Sequence, residues 1–204
     1  MKTGNGAPDR IPVCAKIAYS LWMTFWVPVV LSTYGPQNFF WLCNLAQFLL
    51  LWAVWREDRL LLSSQAGLVT VVGSVWTLDL IAALAAGGHS PTGITAYIFD
   101  ERLALVARLS SLYHVGLPVL AIWLCRRIGY DSRGLPLQCA LGSVVMLAGW
   151  AFGDPERNLN YVHAPFGIEQ TWLPEPLYLV VLLAGNALLI FLPGHLLLRR
   201  IAAR

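Results

Sequence analysis

Charge is what this chain of 204 residues has least of: Asp, Glu, Lys and Arg make up 12% of it, against 57% hydrophobic residues. A water-soluble fold of this length has too little interior for so much apolar surface, so a soluble domain is excluded. Cysteine is also scarce. The four present, Cys14, Cys43, Cys125 and Cys139, show no C-x-x-C spacing, which speaks against a disulfide framework or a zinc site. A P-loop, a G-x-S-x-G elbow and a zincin H-E-x-x-H are absent, removing the commonest sequence marks of nucleotide, serine-hydrolase and zinc-protease chemistry. Histidine is too sparse for a haem: His114 and His195 differ by about 10 Å in depth by helical rise, a poor fit to one bis-histidine iron. Neither a metal nor a cofactor is expected.

What the chain has in abundance is long apolar runs. Six occur, at about 15–33, 38–55, 60–87, 103–125, 135–152 and 176–198. Each is close to the ~20 residues a helix needs to cross ~30 Å of hydrocarbon. The expected fold is therefore all-α, a polytopic six-helix transmembrane bundle forming a single domain over residues 1–204. Nine Trp suit a chain anchored at lipid interfaces. The first run has Lys16 before it but is too long for a signal peptide and lacks a small-residue cleavage site, so it is read as a retained span.

Basic residues set the orientation. With six crossings, Lys2, Arg10, Lys16, Arg56, Arg59, Arg126, Arg127, Arg133, Arg199, Arg200 and Arg204 fall on one side, while the opposite loops carry only Arg102 and Arg157 among six acidic residues. The positive-inside rule then places both termini in the cytoplasm of a cell membrane, the inner one in a Gram-negative cell. The formal charge of +3 is accounted for by this asymmetry, so nucleic acid is not an expected partner. Small residues recur in the third run (Ala66, Gly67, Gly73, Ser74, Ala82, Ala83) and the fifth (Ala140, Gly142, Ser143, Ala148, Gly149), suiting close helix packing or a homo-oligomeric or complex-forming face. Pro28, Pro118 and Pro193 are expected to bend three spans.

Polar side chains in hydrocarbon cost ~2.5–3.5 kcal/mol each on insertion scales and so call for a role. Here they gather at one depth. Cys43, Asn44 and Gln47 share a broad face early in the second run; Asp79 closes the third; Arg108, Ser110, Ser111, Tyr113 and His114 open the fourth. Helical rise puts Cys43, Asp79, Arg108 and His114 within roughly 8 to 16 Å of the non-cytoplasmic boundary, and one outward-opening pocket would collect them. Polarity thins toward the cytoplasmic half, where His195 reads as a helix-end residue. Two longer loops, 88–102 and 153–175, could cover the pocket, the second offering Asn158, Asn160, His163 and Gln170 as binding or support residues. Each member also has a plain structural reading: Cys43 as a small packing residue, His114 as a bonded core histidine, Asn44 and Gln47 as interhelical glue, and Asp79 with Arg108 as a mutually neutralising pair.

Three segments in this set carry a family resemblance. Leu42-Cys43-Asn44-Leu45, Tyr113-His114-Val115-Gly116-Leu117-Pro118, and Asn158-Leu159-Asn160-Tyr161 resemble stretches of the YwaF-type bacterial integral membrane family. Its eukaryotic relatives include a lipid acyltransferase and, more distantly, hydrolases of branched fatty-acid esters. The chain resembles still more the small bacterial membrane-associated proteins within or beside that group. It departs from the pattern at Gln170-Thr171-Trp172-Leu173-Pro174, where a Trp- and Pro-rich run is expected, and in having no Lys-Pro after Tyr161. The resemblance implies Cys43 as nucleophile and His114 as its base, since an imidazole that takes a thiol proton yields the thiolate that attacks an acyl carbonyl. Asn44 or Gln47 would be oxyanion or orienting donors, with Asp79 and Arg108 a support pair or headgroup contact. The leading expectation is an intramembrane acyl-ester hydrolase or acyltransferase acting on a membrane lipid. The alternatives are a non-enzymatic subunit binding a lipid, quinone or pigment or scaffolding a complex, and, third, a small transporter.

Overall fold

The computed structural model of the chain describes residues 10–202; Lys2 and Arg204 lie outside them. The described chain is helical, 78% of it, with no strand. Its main helices are α1 (Val13–Tyr34), α2 (Leu42–Arg56), α3 (Arg59–Ala85), α4 (Leu105–Ser110), α5 (Tyr113–Ile128), α6 (Gly134–Phe152), α7 (Glu175–Asn186) and α8 (Leu192–Ala202). A π turn, Ala187–Phe191, joins α7 to α8, and α4 continues into α5 through a tight turn, so five helical runs are long and apolar enough to cross a membrane. Large apolar side chains such as Leu21, Leu78, Val119, Val144 and Leu189 stand exposed around the bundle, consistent with a multi-pass membrane protein.

The second run departs from expectation. Its helix begins only at Leu42 and has fifteen residues, about 22 Å of rise, short of the ~30 Å a crossing needs. The missing turns are a 3-10 segment, Pro36–Phe40, held open because the side chains of Asn44 and Asn160 take backbone groups of Asn38, Phe40 and Leu42 that a helix would use itself. The fourth run is likewise broken at Ser111 and Leu112, whose ψ near −11° and −6° tighten the chain into i→i+3 bonds.

At the center stands α3, against which α2, α5, α6 and α8 all pack. Its small residues make that possible. A Cβ on Gly73 would sit 2.5 Å from Pro118 Cγ and 2.6 Å from the His114 carbonyl, which Pro118, having no N–H, leaves without its helical donor. A Cβ on Gly194 would meet the Gly67 oxygen at 2.1 Å, so α8 lies on α3 backbone to backbone. The small-residue face of the third run is thereby used inside the bundle, and Gly142 of α6 receives Phe191 from the π turn.

The basic residues collect at one end of the bundle, here the basic end. Lys16 bridges Glu57 at 2.7 Å, Arg127 donates to the Arg10 carbonyl at 2.7 Å, and Arg133 bonds Asp131, holding that carboxyl down at about 2. Two expectations fail just above this end. His195 is buried, not at a helix end, and is hydrogen-bonded to the Tyr130 hydroxyl. Nor does polarity thin out: Gln65 Nε2 donates to both Ser64 Oγ and Gln138 Oε1 at 2.9 Å, and Ser63 accepts from the Asp131 amide. Sequence spacing alone hid this because Gln65 and Gln138 are 73 residues apart and meet only once α6 lies on α3.

Gly73 and Gly116 test the packing argument. Gly73→Ala should lower stability by about 1–3 kcal/mol by overpacking α3 on α5, whereas Gly116→Ala, with nothing within 4 Å of its Cβ, should be neutral or gain up to about 1 kcal/mol from helix propensity. Thermal melts of the purified protein in detergent read both.

Candidate binding site at the acidic end

The opposite end, where the acidic loops lie, brings three distant segments together. Asn160 does most of this. Its Oδ1 accepts from the Leu42 amide and its Nδ2 donates to the Phe40 carbonyl, both at 2.9 Å, so one side chain caps α2 from another part of the chain. The backbone there is bent to suit: Asn158, Asn160 and Tyr161 have φ of 44°, 53° and 62°, and asparagine tolerates that left-handed region best. Asn158 braces the same loop, its Oδ1 accepting from His163 and Ala164 amides at 3.0 Å.

One turn into α2, Asn44 donates to the Asn38 carbonyl at 2.8 Å and accepts from the Tyr113 hydroxyl at 2.6 Å. Cys43 adjoins this bond, its Sγ 4.0 Å from Asn44 Oδ1. The next residue, His114, is sandwiched between the rings of Tyr113 and Trp76, with centroids 4.0 and 4.7 Å away. Its Nδ1 lies 2.9 Å from the Ser111 carbonyl, an acceptor only, so Nδ1 holds the proton. No hydrogen bond joins Cys43 to His114 among the described residues; Tyr113 neighbours both.

The second loop arm comes from 88–102. Asp79, at the end of α3, accepts from Ser90 Oγ at 2.6 Å, from the Thr92 amide and hydroxyl at 3.0 and 2.8 Å, and from the Thr95 hydroxyl. It therefore straps the loop down and forms no ion pair with Arg108, contrary to the sequence expectation. The reason is local supply: three hydroxyls and an amide saturate the carboxylate before a guanidinium reaches it. Held this way, the loop lowers Tyr97 into the bundle, where its hydroxyl accepts from Trp76 Nε1 at 3.2 Å and has Ser111, Cys43 and Tyr34 around it. Tyr161 enters from the other loop near Cys43 and Asp79. Burial pushes both the Tyr97 and Tyr161 phenols up, so they stay neutral, donating hydroxyls at ordinary pH.

No family model, curated protein or solved structure matches this chain. Its function has to be argued from the residues of this corner.

Of the residues singled out from sequence, the fold gathers Cys43, Asn44, Ser111, His114 and Asn160, with Asp79 and Arg108 on its rim. It leaves three elsewhere. Gln47 faces α1, where Trp22 donates to its Oε1 at 2.8 Å and its Nε2 is buried without a partner. His163 lies 3.8 Å from Glu175, and Gln170 folds back on the Trp172 and Leu173 amides of its own loop. Tyr34 and Tyr97 were missed. The signal for Tyr97 was available: Ala96-Tyr97-Ile98-Phe99 is an apolar patch inside a polar loop, and such a patch has to turn inward.

Asp79→Ala should release the strap by leaving four donors without an acceptor. Hydrogen exchange at the Thr92 amide should rise about tenfold or more, with amides in the middle of α6 unchanged.

Proposed function

We propose that this chain is a six-crossing membrane protein whose non-cytoplasmic corner binds the polar head of an outer-leaflet lipid. The observation that carries this reading is the convergence of neutral hydroxyls from Tyr97, Tyr113 and Ser111 beside Cys43, under two loops fastened by Asp79 and Asn160. Hydroxyls buried together at a membrane boundary suit an amphiphile with polar atoms at one end and an apolar tail along the helices. Kinship with the YwaF-type family is part of the same reading. What supports it is that the three segments resembling that family are hydrogen-bonded to one another, Leu42 to Asn160 and Asn44 to Tyr113.

The crossing count includes α2 together with the 3-10 segment Pro36–Phe40 that precedes it, joined through the extended backbone of Trp41. Six crossings put Arg10, Lys16 and Arg199 on one side, which the positive-inside rule makes cytoplasmic. Intact cells carrying Glu169→Cys should react with a membrane-impermeant maleimide. Cells carrying Ser132→Cys should react only after lysis, and the reverse pattern would reject this orientation.

Acyl-ester hydrolysis or transfer stands as the second reading, favoured by one detail. With Nδ1 donating its proton to the Ser111 carbonyl, Nε2 is the unprotonated nitrogen, which is what a base for Cys43 requires. Binding ranks first because the thiol and the imidazole are not bonded to each other. Native mass spectrometry of gently purified protein should show about one retained lipid, with occupancy reduced in Tyr97→Phe/Ser111→Ala. Protein that emerges bare from a lipid-replete preparation contradicts the pocket. Turnover of a fluorogenic acyl ester, lost in both Cys43→Ala and His114→Ala, would instead promote catalysis to first place.

A further inference from the structure

Arg108 is a cation with no carboxylate bonded to it among the described residues. It sits on α4, part-buried, with one guanidinium N–H donated to the Ile98 carbonyl at 3.2 Å and a buried Nε that has no partner. The carboxylates that could neutralise it are committed. Asp79 is saturated by Ser90, Thr92 and Thr95, and Asp100 is gripped by Arg102 through bonds of 2.9 and 2.8 Å, with Arg108 acting on it only through space, so that its carboxyl is held down at about 2. Among the described residues no ion pair includes Arg108.

A second donor stands in the same place. Tyr34 ends α1, the helix packed against α4, and Arg108 is the foremost charge acting on its phenol. That hydroxyl, too, is buried with nothing bonded to it. Buried polar atoms without partners are few in native proteins, and two of them side by side, one on a cation, call for an explanation. A water would satisfy the hydroxyl but leave the charges of Arg102 and Arg108 together against the single carboxylate of Asp100, a surplus that is costly at the edge of hydrocarbon. An oxyanion satisfies both.

We propose that Arg108 and the Tyr34 hydroxyl form an anion site for the phosphate or carboxylate of an acidic amphiphile. The planar guanidinium offers parallel donors to two such oxygens, and the phenol supplies a third hydrogen bond. The site rests on the lipid-binding reading above and narrows its ligand to acidic heads.

Lipid-stripped protein in a nonionic detergent, titrated with dihexanoyl phosphatidylglycerol, dihexanoyl phosphatidylcholine and inorganic phosphate, tests it through tryptophan emission. Phosphatidylglycerol should bind saturably and about tenfold or more tighter than phosphatidylcholine. Arg108→Gln should abolish that preference, Arg108→Lys should keep part of it, and Tyr34→Phe should weaken it severalfold. Equal affinity for the two lipids overturns the restriction to acidic heads, and phosphatidylglycerol affinity that survives Arg108→Gln overturns the anion site, either result leaving the lipid-binding reading intact. Saturable binding of neither lipid overturns the pocket itself. Inorganic phosphate binding as tightly as phosphatidylglycerol upholds the anion site and refutes its lipid source. Should Arg108→Gln not fold, Arg108→Lys and Tyr34→Phe decide, and a wild-type preference in both refutes the site.

Discussion

Four helices of this bundle, α2, α5, α6 and α8, are referred to α3, and α3 can be approached because it presents backbone where other helices present side chains. At Gly73, and at Gly194 where it lies on Gly67, the neighbouring helices come so close that a single methyl would collide with Pro118, with the His114 carbonyl or with the Gly67 backbone. In hydrocarbon no hydrophobic force drives helices together, so such contacts gain their stability from dense van der Waals packing. The consequence reaches the acidic end. Seating Pro118 on Gly73 fixes the height and rotation of α5, and with them the His114 ring between Trp76 and Tyr113.

From that fixed frame the acidic end is assembled by hydrogen-bond accounting. The break at Ser111 and Leu112 exposes backbone groups that a continuous helix would consume, and His114 takes the Ser111 carbonyl. The late start of α2 exposes others, which Asn160 and Asn44 take. Each irregularity is thus answered by a side chain, a local one at Ser111 and Asn38 and the remote Asn160 at Phe40 and Leu42. Irregular backbone at membrane depth is tolerated only when buried in protein or lining a cavity, and two such irregularities lie side by side here. The carboxylate of Asp79 is absorbed by the same accounting, which is why the positive charge of Arg108 is left over.

The helical nature of the fold and the apolar runs were legible in the sequence because apolar length depends on composition alone. The convergence of Cys43, Asn44, Ser111 and His114 was legible as well, since depth follows from counting residues along a helix. Side-chain partners were not. Asp79 and Arg108 share a depth, yet the hydroxyls that claim Asp79 are on a loop whose path no helical count describes. Tyr97 was marked by its apolar stretch, Ala96 to Phe99, but its partners Trp76 and Ser111 were not. The breaks in the second and fourth runs escaped notice because Trp41, Ser111 and Leu112 are unremarkable locally; the signal lies in tertiary partners such as Asn160.

The polar layer near the basic end bears on transport, which such polarity could otherwise favour. Its groups are matched among themselves, Gln65 with Gln138 and Ser64, and Tyr130 with His195. The same layer contains the Gly67–Gly194 contact, where two backbones touch with no side chain between them to swing aside. A conducting path through this layer would have to pull α8 off α3 and leave a buried histidine and two glutamines unpaired, each at the cost of an uncompensated polar group. The π turn at Ala187–Phe191 gives the last helix a place to shift register, but Phe191 within it is itself seated on Gly142. Two polar clusters are separated by seated backbone, and among the described residues the one at the acidic end has both a guanidinium nitrogen and a phenol hydroxyl buried without a partner, those of Arg108 and Tyr34. Ligand recognition at that end asks for less rearrangement than passage through the bundle does.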